Sequence, residues 1–325
     1  MNSQIDGLEC NVSRRGFLGI AVAGVALPWS SIAEAAASEN KRGGPTEVCI
    51  FSKHLQWLDY AGMARTAREI GFDGIDLTVR PGGHVLPERV REDLPRAIAA
   101  AKIEALDVPM MTTAITDPSD PLTESILATA SQAGIRYYRM GYYQYDDAKP
   151  VHQTLNEAKA KIRDLVEMNK HYNIVGAYQN HAGAKYVGAP IWDLDILFGD
   201  LDTRWIGSQF DIRHATVEGG LAWPTDFRLV SRYINTIVAK DFKWTQKAGS
   251  WQAENCPLGE GMVDFPRYFK MLRRAEIVVP MSLHFEYPIG GAEHGARRLT
   301  VDKRQVIEAM KRDLRFVRNL AKSKA

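Results

Sequence analysis

From about residue 45 the chain switches eight times between a short apolar run and a longer segment of helical periodicity. That alternation limits the folds open to it more than any other feature. The strand-like runs fall near 47–53, 72–79, 103–111, 135–140, 174–179, 205–211, 234–241 and 277–285. The helix-like segments follow them near 58–70, 87–102, 120–133, 156–172, 191–201, 225–233, 265–274 and 301–320. Gly71 suits a left-handed helix cap, and Pro95 predicts a kink or two short helices in the second segment. The stretch after the seventh strand, rich in Trp, Gly and Glu, reads as a long loop. Strands that alternate one by one with helices run parallel, because each helix carries the chain back to the same edge. Eight such units over about 280 residues predict an α/β fold of the (β/α)8 TIM barrel type. A doubly wound open sheet is the alternative, but it seldom uses so many units in succession.

A parallel barrel brings the carboxyl ends of all its strands to one mouth. The sixth strand, Trp205-Ile206-Gly207-Ser208-Gln209-Phe210-Asp211, ends in an acid and is followed by Arg213 and His214. Asp211 and His214 sit where the chain leaves the sheet, so both can turn toward one point. Other strands end in the same way: His54 follows the first, Arg80 and His84 the second, Tyr142 the fourth, Gln179 and His181 the fifth, Lys240 the seventh and Glu286 the eighth. One such group is commonly a satisfied core polar residue, but so many at one structural position mark a site. Lys240 next to Asp241 also reads as an ion pair bracing the barrel. Trp57, Tyr142, Tyr143, Trp223, Trp244 and Trp251 lie on or near loops of the same face, where aromatic rings can stack on a sugar. Arg80 and Arg213 suit a hydroxyl, a carboxylate or a phosphate. The glycine pairs Gly259/Gly261 and Gly290/Gly291 read as turns.

The first 36 residues stand apart. Ser13-Arg14-Arg15-Gly16-Phe17-Leu18-Gly19 precedes an apolar run through Leu27, and Ala33-Glu34-Ala35 offers a small-residue cleavage site. Paired arginines before a moderately hydrophobic segment point to a twin-arginine signal, with the export machinery as a partner of the precursor and the periplasm as destination. Residues 37–325 then form a single domain, with no membrane span in the mature form. A formal charge of +2 argues against a nucleic-acid surface. Cys49 and Cys256, the cysteines outside the signal, do not make a disulfide framework.

Taken in order, Gly71-Phe72-Asp73-Gly74-Ile75-Asp76-Leu77, the Asn180-His181 pair, Asp211-x-x-His214, Lys240-Asp241 and Glu286 resemble the xylose-isomerase-like barrel superfamily. That group includes sugar isomerases, ketose epimerases, inosose dehydratases and an apurinic endonuclease branch, and the similarity spans about Val48 to Leu320. The resemblance implies one divalent metal held by Glu, Asp, His and Glu from the fifth to eighth strands, positions filled here by Gln179, Asp211, Val238 and Glu286. Val238 cannot ligate and Gln179 is neutral. The remaining metal set of Gln179, Asp211 and Glu286 is oxygen-rich and favours Mn²⁺ or Mg²⁺ over Zn²⁺.

The resemblance further implies an exported isomerase- or epimerase-like enzyme that removes a proton next to the carbonyl of a small sugar. Family epimerases use two carboxylates, and Gln179 stands where one of them would be. One-base chemistry therefore fits better, with Glu286 as base and His214, His181 or Lys240 as proton donor or oxyanion stabiliser. His54, Arg80, His84, Arg213, Trp244 and Tyr142 are the expected substrate contacts. A keto-sugar hydro-lyase on the same site, a non-catalytic carbohydrate-binding barrel and a nuclease of the endonuclease branch are the alternatives. Barrels of this kind commonly pair, so a homodimer stays open.

Overall fold

The computed structural model describes residues 44–322, so the twin-arginine segment lies outside the described residues. Ten strands are formed: β1 Gly44–Phe51, β2 Gly74–Thr78, β3 Asp107–Thr112, β4 Tyr137–Arg139, β5 Val175–Gln179, β6 Ile206–Asp211, β7 Ile234–Ala239, β8 Asp241–Lys247, β9 Ser250–Cys256 and β10 Val278–Leu283. Eight of them close a barrel in the order β1-β10-β7-β6-β5-β4-β3-β2. Every pair in it is parallel, and β1 closes the ring by pairing with both β10 and β2. The expected TIM barrel is therefore the fold. Strands buried by helices outside and side chains inside need no polar face, and β2, β5 and β6 are buried along their whole length.

Local chemistry sets the element ends. The first helix, Tyr60–Ile70, begins two residues later than expected because the Asp59 carboxylate accepts the Gly62 N–H at 2.8 Å and caps it. It stops at Gly71, which holds a φ of 104° as its left-handed cap. Pro95 does not split the second helix, which runs unbroken over Val90–Ile103 after a 3-10 turn at Pro87–Arg89. Both Pro95 and Arg91, whose carbonyl loses its helical donor, are exposed, so water can replace the missing bond.

The stretch expected as a long loop is an antiparallel hairpin, β8-β9, with Trp244 opposite Ala253 and Gln246 opposite Trp251. Its root is held by Asp241. That carboxylate accepts the backbone N–H groups of Phe242 (2.8 Å), Gly259 (3.0 Å), Gly261 (3.0 Å) and Val263 (3.1 Å). The Gly259–Gly261 turn is thus a cradle for an anion that the chain itself supplies. Trp223, expected near the rim, is buried instead beside Tyr268, with Arg267 over its ring. Cys49 and Cys256 are buried and unpaired with each other. No helix among the described residues is long and apolar enough to cross a membrane.

Candidate active site

The parallel strands place one ring of polar side chains at their carboxyl ends. Around the ring come Arg80 after β2, Lys53 after β1, Glu286 after β10, Lys240 after β7, Asp211 ending β6, Gln179 and His181 at the end of β5, and Arg139 and Tyr142 at the end of β4. Asp211 is positioned by more than its strand. It is the N-cap of the helix Ile212–Gly219, and its Oδ1 accepts the His214 N–H at 3.1 Å. The D-x-x-H spacing is therefore a helix cap as well as a pair of side chains.

At the centre stands an ammonium group. Lys240 Nζ is 3.1 Å from Asp211 Oδ2 and 3.1 Å from Glu286 Oε2, and Lys53 Nζ holds the other oxygen of Glu286 at 2.9 Å. Burial alone would lower the Lys240 pKa, but Asp211 and Glu286 outweigh it and hold the group above its ordinary value. It is a charged donor at neutral pH, unsuited to attack as a free amine. For Glu286 burial acts upward, but Lys240 chiefly, with Lys53, holds the carboxyl well below the usual range. Lys240 pairs with these two carboxylates and Asp241 with backbone amides, so the expected Lys240–Asp241 brace is not formed.

Gln179 fixes the next link. Its Oε1 accepts from Arg139 at 3.2 Å and from the Tyr142 hydroxyl at 2.5 Å, and its Nε2 donates to Asp211 Oδ2 at 2.7 Å. Arginine cannot accept a hydrogen bond, so the amide cannot be turned round. Gln179 therefore shows Asp211 an N–H and not an oxygen. Val238 is fully buried directly opposite Asp211, and Lys240, two residues on, fills the space above it. The four positions that would hold a divalent metal thus offer two carboxylates already bridged by a cation, one amide N–H and one methyl surface. As arranged, they do not fit a metal ion. Among the described residues no group of three or more His, Cys, Asp or Glu side chains is placed to hold one.

The histidines divide by their hydrogen bonds. His54 donates through Nδ1 to the Ala292 carbonyl (3.0 Å) and accepts the Phe285 N–H at Nε2 (3.0 Å), so both nitrogens tie strand ends together and neither faces a substrate. His84 is buried against Thr78, with burial pushing its pKa down to about 4. His181 donates through Nδ1 to the Ala182 carbonyl at 2.9 Å, which leaves Nε2 as a bare lone pair. Burial first, then Lys240, lowers its pKa to about 4. His214 accepts from Arg213 at Nδ1 (3.1 Å), so Nε2 carries the proton, 3.5 Å from Asp211 Oδ2. The His181 and His214 rings lie 4.1 Å apart between centroids.

The structure brings Asp211, Gln179, Lys240, Glu286, His181, His214 and Tyr142 together, with Arg80 on the rim. His54 is a framework residue, and His84 lies buried against Thr78 with its Nε2 unpartnered among the described residues. Arg213 joins the mouth to the hairpin through the Ala253 carbonyl at 3.0 Å, and Trp244 is exposed on that hairpin. Three residues escaped the sequence reading. Lys53 sits beside His54 in a 3-10 turn that points the two in different directions. Arg139 lies within the apolar fourth strand and shows itself only through Gln179. His284, two residues before Glu286 and so on its side of the chain, donates to Ser282 Oγ (3.1 Å), which itself donates to Asp76 at 2.6 Å. Its Nδ1 is left 3.8 Å from Glu286 Oε1.

Residues 64–319 match the sequence profile described as "Xylose isomerase-like TIM barrel". No curated protein matches the chain. Among solved structures, 3-keto-D-glucoside 4-epimerase from E. coli is similar at 13% identity and a TM-score of 0.60, over 84% of this chain and 99% of that one. The probable 3-DHS dehydratase from Bacillus anthracis, involved in petrobactin synthesis, gives 17% and 0.61 over 82% and 98%. A xylose isomerase-like TIM barrel protein from Mycobacterium smegmatis in complex with magnesium gives 16% and 0.57 over 81% and 89%. At these identities the likeness is one of fold.

Proposed function

The chain belongs to the xylose isomerase-like TIM barrel family, and from that premise we propose that it is an isomerase- or epimerase-like enzyme that removes a proton next to the carbonyl of a small keto sugar. The observation that carries this reading is the bridging position of Lys240 between Asp211 and Glu286. An ammonium has three N–H donors, and two are engaged by these carboxylates. The third is available to a substrate carbonyl oxygen, and its interaction strengthens as that oxygen becomes an enolate.

Glu286 is the base. Its side chain is 24% exposed, whereas Asp211 has no exposure and is saturated by Gln179, Lys240 and the His214 N–H. Pairing with two ammonium groups keeps Glu286 ionised and in place. When negative charge grows on the substrate oxygen, Lys240 shifts its attraction there and the carboxylate becomes more basic as the proton moves. His181, beyond Asp211 on the far side of Lys240, offers Nε2 to a substrate hydroxyl. A dehydratase reading of the same site is favoured by Lys53, whose ammonium lies 2.9 Å from Glu286 and so places a proton donor beside the base for a leaving hydroxyl.

The test is deuterium incorporation from D2O into a panel of free keto sugars, followed by NMR. Exchange at the carbon next to the carbonyl, abolished in Glu286→Gln, is expected. No exchange with any of the sugars would sink the reading. We also read residues 1–36 as a twin-arginine export signal. Replacing Arg14 and Arg15 with lysine should leave an unprocessed precursor in the cytoplasm, and normal export of that variant would overturn the assignment.

A further inference from the structure

The mouth holds more positive charge than its own carboxylates neutralise. Lys53 and Lys240 share Asp211 and Glu286. Three guanidinium groups, those of Arg80, Arg139 and Arg213, face the same space and form no ion pair among the described residues. Arg139 donates to Gln179, to Tyr142 and to the Thr113 carbonyl, all neutral. Arg213 donates to His214 and the Ala253 carbonyl. The third carboxylate, Asp76, lies fully buried beneath, takes hydrogen bonds from Thr112 and Ser282, and has its pKa raised by burial. Five cations thus meet three carboxylates, one of them sealed beneath the ring, in a protein whose overall charge is close to zero.

Arg80 is the group least provided for. Its guanidinium lies over the Phe51 ring at 5.4 Å, with Lys53 Nζ over the same ring at 5.5 Å, and among the described residues its side chain has no hydrogen-bond partner. None of its nitrogens is sealed from water, so the guanidinium stands at the rim as an accessible fork of donors that a ligand acceptor can take up. We propose that the substrate carries a carboxylate, which Arg80 and the neighbouring Lys53 receive at the β1–β2 side of the mouth while the carbonyl lies under Lys240. This rests on the proton-abstraction reading and narrows its substrate to an acidic sugar. Arg80 and Lys240 are separated around the ring by the β1 and β10 exits, which sets carboxylate and reacting carbonyl at different ends of one molecule.

Calorimetric titration of the full chain with D-galacturonate, D-galactose and inorganic phosphate tests it. The expected result is galacturonate binding at least about tenfold tighter than galactose, weakened by salt as paired charges are screened. Arg80→Gln should collapse that ratio toward one. Equal binding of the two sugars would overturn the inference, as would phosphate binding more tightly than galacturonate. Exchange of keto-sugar protons under Glu286 control, with no preference for acid sugars, would remove this inference and leave the enzymatic reading standing. Loss of exchange with every sugar, neutral and acidic, would remove both.

Discussion

Lys240 Nζ lies 3.1 Å from Oδ2 of Asp211, a carboxylate with no exposure to solvent. The two come from neighbouring strands, and neither has water to fall back on. Removing the cation leaves a buried anion with only amide donors, which costs about 3–5 kcal/mol in comparable cases. Lys240→Ala should therefore lower the urea midpoint sharply. Adding Asp211→Asn should recover most of the loss, because the charge needing compensation has gone. Equal destabilisation of the single and double variants would show that Lys240 stabilises through packing alone.

The number of units, their parallel order and the convergence of strand ends could be read from the sequence because each depends on local periodicity plus one topological rule. What pairs with what could not. Lys240 next to Asp241 looks like a pair, but consecutive residues of an extended chain point oppositely, and the two carry separate tasks. Lys53 and His54 exchanged roles for a related reason, since the chain enters a 3-10 turn between the strand and the first helix. Gln179 was legible as a departure from a metal ligand. Its orientation depends on Arg139, the last residue of a strand of only three, one position before the end of the apolar run that the sequence shows.

Stability should fall as the solution is acidified below about pH 6.5, before ordinary carboxylates titrate. Burial lowers the pKa of His84 to about 4 and that of His284 to about 3. A histidine with a depressed folded pKa favours the folded state above its unfolded value near 6.5, and that advantage is lost as pH falls toward the folded value. Each such group adds about 1.4 kcal/mol per pH unit across that window. Glu286, also depressed, adds a loss of the same sign below its unfolded value, near 4.5. Urea midpoints at pH 8, 7, 6 and 5 should be level between 8 and 7 and then drop. Asp313, raised to about 6 by burial, acts with the opposite sign below pH 6, so the step from pH 7 to 6 is the diagnostic one, and a flat profile there would mean that these imidazoles are not held neutral.

A divalent ion should be dispensable. The Gln179 amide N–H and the Lys240 ammonium point at the carboxylate that a metal would need. Elemental analysis of protein purified without chelators should find well under one equivalent of Mn, Mg or Zn. Deuterium exchange should survive EDTA. Near-stoichiometric metal, with activity lost on chelation and restored by Mn²⁺ or Mg²⁺, would require Lys240 to leave its bridging position.

The hairpin should be coupled to catalysis through its root. Asn255 on β9 donates to the Glu286 carbonyl at 3.3 Å, and Arg213 holds the same strand at Ala253. Both contacts are made by the hairpin whose root the Asp241 cradle holds. A methyl group on Gly261 would lie 2.2 Å from Asp241 Oδ1 and 2.4 Å from the Phe242 carbonyl, closer than atoms approach. Gly261→Ala must therefore push the turn away from the carboxylate, straining the Asp241 hydrogen bonds. The expected cost is about 2 kcal/mol or more, from crowding and a weakened charge-assisted bond together. Because β8 begins at Asp241, the hairpin should tilt and Glu286 should lose a restraint. Activity should then fall further than the loss of folded protein accounts for at a temperature where the variant remains folded. If Gly261→Ala lowers the urea midpoint but leaves kcat and KM unchanged in the folded protein, the hairpin is a structural appendage and Glu286 is held by its ion pairs alone.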